Sequence, residues 1–353
     1  MHTIGLLVAA ALVVVGCGSS GDAGSADFTV TVEHTFPPIH VEVGEESRRL
    51  CQSWRLNNDE PLYVSKVRQT NQGGWHHSNW VFVPEDMYLP REEIEGPDAT
   101  FEGTWKCSDR DYSQLLAGAA GGAFFAQSTQ AFEETQVFPE GTAFEIPPRS
   151  AIVGGIHLLN VSARPLDSAM TFEVEAIDEE DVEVKLRPIT FDNSSLVIAP
   201  RAESRFSMTC DVAPVFRDVA DMEPEYSIYY VLAHYHEWGN FFNLSFVDEG
   251  GGTRTIMELT TRVGEPIGKT IDPPIASNGA PGLKVDCGYL NDTDRTLVYG
   301  FKDEEMCVFL AYTDAPLKIG MGSGENHPMG EDENGILLNE TECGGVFAVP
   351  ATD

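Results

Sequence analysis

From Phe28 onward, apolar and polar residues alternate in short runs. Phe28-Thr29-Val30-Thr31-Val32-Glu33, Thr171-Phe172-Glu173-Val174-Glu175-Ala176 and Val182-Glu183-Val184-Lys185-Leu186 repeat with a period of two. That period turns one face of an extended chain toward a core and the other toward water. Pro, Gly, Asn and Asp separate the runs, as turns between strands require. The pattern predicts an all-β protein built from antiparallel β-sandwiches. The clearest helical candidate, residues 112–126, is interrupted by Gly118, Gly121 and Gly122 and reads as a loop or short helix. No internal repeat is visible. The 353 residues suit two tandem, jelly-roll-like sandwiches of about 150 residues each. The polar turn Asp192-Asn193-Ser194-Ser195 marks the expected boundary, with one domain over 28–192 and the next over 193–349.

The first residues break this pattern. Ile4 to Val15 is a run of twelve apolar residues, too short for a membrane span of about 20 and suited to the apolar region of a signal peptide. It leads into Val14-Val15-Gly16-Cys17 and a polar stretch, Gly18 to Ser25. A small residue before a Cys, then a flexible tether, resembles the lipobox of bacterial lipoproteins. Residues 1–17 are therefore expected to form a lipoprotein signal ending at a lipidated Cys17, with 18–27 as tether. The remaining chain would be exported and held at the bacterial cell envelope, at the outer membrane or cell surface, by its acyl chains alone.

Composition narrows the partners. Hydrophobic residues make up 42% of the chain, enough for a core, and the net charge is −34. Nucleic acid and anionic lipid headgroups both demand a basic footprint, so neither is an expected partner. A monomer acting on a small molecule is expected. Of seven Cys, Cys17 is assigned to lipidation, leaving Cys51, Cys107, Cys210, Cys287, Cys307 and Cys343. Six in an oxidising compartment suggest three disulfides, with fifteen possible connectivities. There is no Cys-x-x-Cys and hence no thiolate zinc motif.

Five of the nine histidines fall in three places: His76-His77, His157 and His234-Tyr235-His236. In the apolar run Tyr229 to His234, a strand would put His234 and His236 on one face, where both can reach one metal. Adjacent His76 and His77 would point to opposite faces unless a bulge turns the chain. His157, in Ile152-Val153-Gly154-Gly155-Ile156-His157-Leu158-Leu159, reads on its own as a satisfied core histidine. Met306, beside Cys307, reads on its own as core filler.

In order along the chain, the four pieces resemble the copper type II, ascorbate-dependent monooxygenases, the family of peptidylglycine α-hydroxylating and dopamine β-monooxygenases. The resemblance runs from about residue 28 to 345. It includes Cys51 before the His pair, Trp105-Lys106-Cys107 after it, Phe138-Pro139-Glu140-Gly141 before His157, Cys210 before His-x-His, Cys287, and Asp303-Glu304-Glu305-Met306-Cys307. It implies two β-sandwiches, each with a copper facing a solvent-filled cleft. His76, His77 and His157 would hold the first copper; His234, His236 and Met306 would hold the second, where dioxygen is activated. The implied activity is an oxidoreductase reaction, hydroxylation of a C–H bond, with ascorbate or another one-electron donor as co-substrate and no catalytic residue beyond the ligands. The implied disulfides are Cys51–Cys107, Cys287–Cys307 and Cys210–Cys343. A soft thioether beside imidazoles suits Cu(I) on its own chemistry.

Where the peptide-amidating members carry an Arg, an Asn and a Tyr for the substrate carboxylate, this chain has Leu232, Val308 and Leu310. An unpaired carboxylate in a partly buried site is costly. A peptide ending in glycine is therefore not the expected substrate, and a smaller or more apolar one is favoured. Two other readings use the same residues differently: a non-catalytic, copper-handling surface lipoprotein, or an adhesive or carbohydrate-binding double sandwich.

Overall fold

A computed structural model describes residues 30–88, 102–127, 131–260, 267–300 and 304–351. The signal, the tether and Cys17 lie outside the described residues. What is described is all-β, with α-helices at Gln114–Ala120 and Ala213–Ala220. The first is the short helix expected within 112–126. The second was not anticipated; Asp211 Oδ1 accepts from Ala213 N at 3.0 Å before its first turn, and Phe216 stacks on Tyr226 at 5.2 Å.

The first sandwich has two sheets. One runs Val30–Thr35, Met170–Ile177, Leu62–Asn71, Thr142–Ile146, Val184–Lys185, with Glu133–Val137 also paired to Leu62–Asn71. The other runs Gly103–Lys106, Glu46–Arg55, Ser150–Leu159, Trp75–Pro84, Gly122–Gln127. The predicted alternation is realised directly. Phe172 and Val174 enter the core beside Val67, Trp80 and Phe144, while Glu173 and Glu175 face out and meet Arg68 and Lys66, each at 2.8 Å, across the strand pair. Within Ser150–Leu159, Gly154 lies under Trp80, whose ring a Cβ would meet at 2.3 Å.

The second sandwich is one ten-stranded path folded round its own core, from Thr253–Leu259 at one end to Gly268–Ala276 at the other. Its closing element is the hairpin Leu317–Glu331 with Leu337–Pro350. One part of the hairpin pairs with Arg187–Asp192 and another with Ala202–Asp211. Register shifts between Gly322 and Ser323 and between Ser323 and Asn326 mark the change of neighbour, the irregularity a strand pair uses to bend.

The domain boundary needs correction. Arg187–Asp192 belongs to the second sheet, between Val308–Thr313 and Leu317–Glu331, so the change of sandwich comes after Leu186 and not after Asp192. The turn at Asn193 resembled a linker because it is polar. It is an Asx turn inside the second sandwich, where Asn193 Oδ1 accepts from Ser195 N at 3.1 Å.

The strands Ser227–His234 and Val308–Thr313 are buried on both faces. Val231, Ala233 and Phe309 enter the second core, while Tyr230, Leu232, Leu310 and Tyr312 pack onto the first sandwich. Phe138 approaches Tyr312 at 4.8 Å and Tyr230 at 5.6 Å, and Tyr312 OH donates to Ala123 O at 2.9 Å. Burial on both faces explains why this stretch is nearly continuous in apolar residues.

Three disulfides form: Cys51–Cys107, Cys210–Cys343 and Cys287–Cys307, the connectivity the resemblance implied. Each joins residues within one sandwich. In the chain-entropy account, loops of these lengths contribute about 3–5 kcal/mol each. Three such bonds fit an extracytoplasmic protein.

Candidate metal centre

Irregular β-structure creates the site. His157 pairs with His77, but Leu158 then pairs with Trp75, which leaves His76 as an extra residue in its strand. On the other side, Ile156 pairs with Leu50 and Leu158 with Ser47, so residues 48 and 49 together face His157. Arg49 takes a left-handed φ of 63° there. His157 thus sits between two bulges. The one at His76 is the device that adjacent histidines need to share a ligand, and the ligand nitrogens of His76, His77 and His157 lie within 4.8 Å of one another.

Hydrogen bonds assign the lone pairs. His157 Nε2 lies 2.7 Å from Glu46 Oε1. A carboxylate only accepts, so Nε2 carries the proton and Nδ1 carries the lone pair. That Nδ1 is 3.2 Å from His77 Nε2. Two nitrogens bound at about 2.0 Å to one tetrahedral ion stand about 3.3 Å apart, so the pair is spaced as co-ligands. Glu46 was not foreseen: Glu45-Glu46 at a strand start has the appearance of solvated charge.

The second histidine pair arrives from the other sandwich. Its strand ends at His234, so Tyr235 and His236 lie in the connection and not on the strand, as the i, i+2 argument assumed. The rings still converge, with centroids 5.1 Å apart. His236 Nδ1 is 2.8 Å from the Glu304 carbonyl, which fixes Nδ1 as donor and leaves the lone pair on Nε2. That Nε2 is buried without a hydrogen-bond partner. Glu305 holds the connection in place. Fully buried, it accepts from His236 N at 2.8 Å, Trp238 N at 2.7 Å and Met306 N at 3.3 Å, and burial pushes its pKa up to about 8.

Met306 is also buried. It precedes the strand Val308–Thr313 and is not part of it. Its carbonyl accepts from Tyr289 OH at 2.7 Å, and its neighbour Cys307 is bonded to Cys287.

The solvent-filled cleft expected between the two ligand sets is not what these residues form. His77 stands 5.3 Å from His234 and 5.4 Å from His236 by ring centroid, and His76 stands 5.5 Å from His236. The five imidazoles make one cluster at the junction of the sandwiches. His77, His157, His234 and His236 are each no more than 8% exposed. Burial, then the neighbouring imidazoles, holds His77 well below its usual range. Burial takes His236 to about 4 against the opposing Glu304 hydrogen bond. Both are neutral at pH 7, with lone pairs available for a metal.

The donor set fits copper: imidazoles from both sandwiches, a buried Met306 on the segment tied to His236, and a carboxylate behind His157. No family model matches the chain, and no curated protein matches it. Among solved structures, PNGase F, a glycosylasparaginase from Flavobacterium meningosepticum, covers 90% of this chain and 99% of its own at 4% identity, with a TM-score of 0.36. The PBSX exported protein XepA covers 80% of this chain and 86% of its own at 10% identity, with a TM-score of 0.20.

Proposed function

We propose that this protein is a copper-dependent, ascorbate-type monooxygenase, exported and anchored to the bacterial envelope through lipidated Cys17. The observation that carries the reading is the meeting of five imidazoles from two sandwiches, four of them buried, in the chain order that resembles this family. His76, His77 and His157 are the ligands of one copper; His234, His236 and Met306 are those of the other. Bound copper would supply one-electron exchange with a donor such as ascorbate and the activation of dioxygen for insertion into a C–H bond.

The chain's own part is to hold and shield. Glu46 sets the tautomer of His157, and the Glu304 carbonyl sets that of His236. Glu305 pins the connection carrying His236 to the segment carrying Met306. Leu232 and Leu310 are packed against the first sandwich, so they offer no polar contact to a carboxylate. This supports a substrate other than a peptide C-terminal glycine.

The burial of the cluster favours a second reading, a copper-handling lipoprotein without turnover. Oxygen consumption by the copper-loaded protein with ascorbate, screened over apolar C–H substrates, tests between them. Substrate-dependent uptake with a hydroxylated product supports the enzyme. Copper binding without it ends the enzyme reading.

A further inference from the structure

We propose that, with a single copper present, His236 of the second sandwich completes the coordination of the ion held by His76, His77 and His157 of the first. The ion then spans the domain junction. This rests on the copper reading above and deepens it.

Three observations meet here. First, the Nε2 lone pair of His236 is buried, lacks a hydrogen-bond partner and belongs to a ring whose other nitrogen is committed to the Glu304 carbonyl. Such outer anchoring is how metal-binding imidazoles are oriented. Second, two imidazoles on one tetrahedral ion have centroids about 5 Å apart, from a metal–nitrogen bond of about 2.0 Å. The pairs His76–His157, His77–His157, His77–His236 and His76–His236 stand at 4.8, 4.9, 5.4 and 5.5 Å. The cross-domain pairs exceed the ideal by only a few tenths of an ångström. Third, the His76, His77 and His157 nitrogens already lie within 4.8 Å of one another, and three imidazoles leave a tetrahedral ion one vacant position. His236 fills it with a slight shift of its connection. A second ion, when supplied, must draw His236 back toward His234 and Met306. The cluster thus has two ligand arrangements, chosen by copper occupancy.

The test uses the full chain, purified metal-free, with copper(II) added to one equivalent. Pulsed EPR should count four imidazoles in the wild type and three in His236→Ala. Affinity for the first equivalent should fall at least about ten-fold in that variant, while His327→Ala, outside the cluster, leaves it unchanged. His236→Gln, which keeps more of the side-chain volume, should behave as His236→Ala. In the wild type, one equivalent of copper should slow amide exchange both at residues 75–77 and at residues 234–238, a measurement independent of any variant. Unchanged first-site affinity and imidazole count in the variants, or slowed exchange on the 75–77 side alone, overturns the proposal while leaving the copper reading intact. No copper uptake by the wild type overturns both. Four imidazoles at one equivalent, with no oxygen consumption by the fully copper-loaded protein, supports the proposal and ends the enzyme reading alone.

Discussion

Removing the Glu46 carboxylate is the most direct test of how the first ligand set is held. The Glu46 Oε1 to His157 Nε2 contact is 2.7 Å, with side-chain exposures of 11% and 4%. Water does not readily replace it there. In Glu46→Ala, nothing fixes the proton on Nε2, and the tautomer protonated at Nδ1 has no lone pair to offer the seat shared with His77. Loss of such an outer partner typically weakens metal binding about 10–100-fold, which is about 1.4–2.7 kcal/mol. The metal-free protein should also lose about 1.5–3 kcal/mol of stability, the worth of a hydrogen bond to a charged group. Glu46→Gln keeps an acceptor and should fall between Glu46→Ala and wild type. Copper affinity is measured by competition against a chelator at pH 7, and stability by urea unfolding of the metal-free form. Copper affinity within two-fold of wild type in Glu46→Ala, alongside clear loss in His157→Ala, refutes the argument that Glu46 sets the ligand's tautomer.

Met306→Leu keeps apolar volume and should cost under about 1.5 kcal/mol of stability while lowering Cu(I) affinity at the second ligand set. Unchanged Cu(I) titration and turnover would make Met306 a packing residue. In Gly239→Ala, the new Cβ meets the Tyr235 ring at 2.1 Å, and Tyr235 lies between His234 and His236. Overpacking should cost about 1–3 kcal/mol and weaken copper binding, read by thermal melting and metal analysis together. The metal-free protein should be most stable near pH 7. Burial holds His34 and His236 at about 4 and His77 well below its usual range, so the unfolded chain takes up more protons as pH falls below about 6.5. Glu305, near 8, and Asp192, also raised by burial, oppose this because the folded state holds their protons. The net excess of one to two protons in the unfolded chain lowers stability by about 1.4–2.7 kcal/mol per pH unit between about 6.5 and 5. From pH 7 to 8, deprotonation of Glu305 lowers it instead. Urea unfolding across pH 5–8 reads the curve, and rising stability below pH 6 contradicts the assignment.

Much of the architecture was legible along the chain because its causes are local. A period of two in Met170–Ile177 places Phe172 and Val174 inward whatever the strand's neighbours. The order of the candidate ligands is likewise a property of the sequence alone. The domain boundary was not legible, because Arg187–Asp192 is assigned by its partners Val308–Thr313 and Leu317–Glu331, and a polar turn is the same residues inside a domain or between two. Nor was Glu46, which meets a histidine 111 positions away and differs from a solvated glutamate only by what packs over it.

The histidines show the division most sharply. Sequence alone determined which residues carry imidazoles and that His234 and His236 could act as a pair. Tertiary structure decided that a bulge turns His76 beside His77. It also decided that the Glu305 carboxyl group gathers the His236 connection, and that the sandwiches dock through Tyr230, Leu232, Leu310 and Tyr312, so that both groups of histidines meet. Each of those contacts joins residues distant in the chain. Its energy depends on desolvation and fit between surfaces that exist only once both sandwiches have folded.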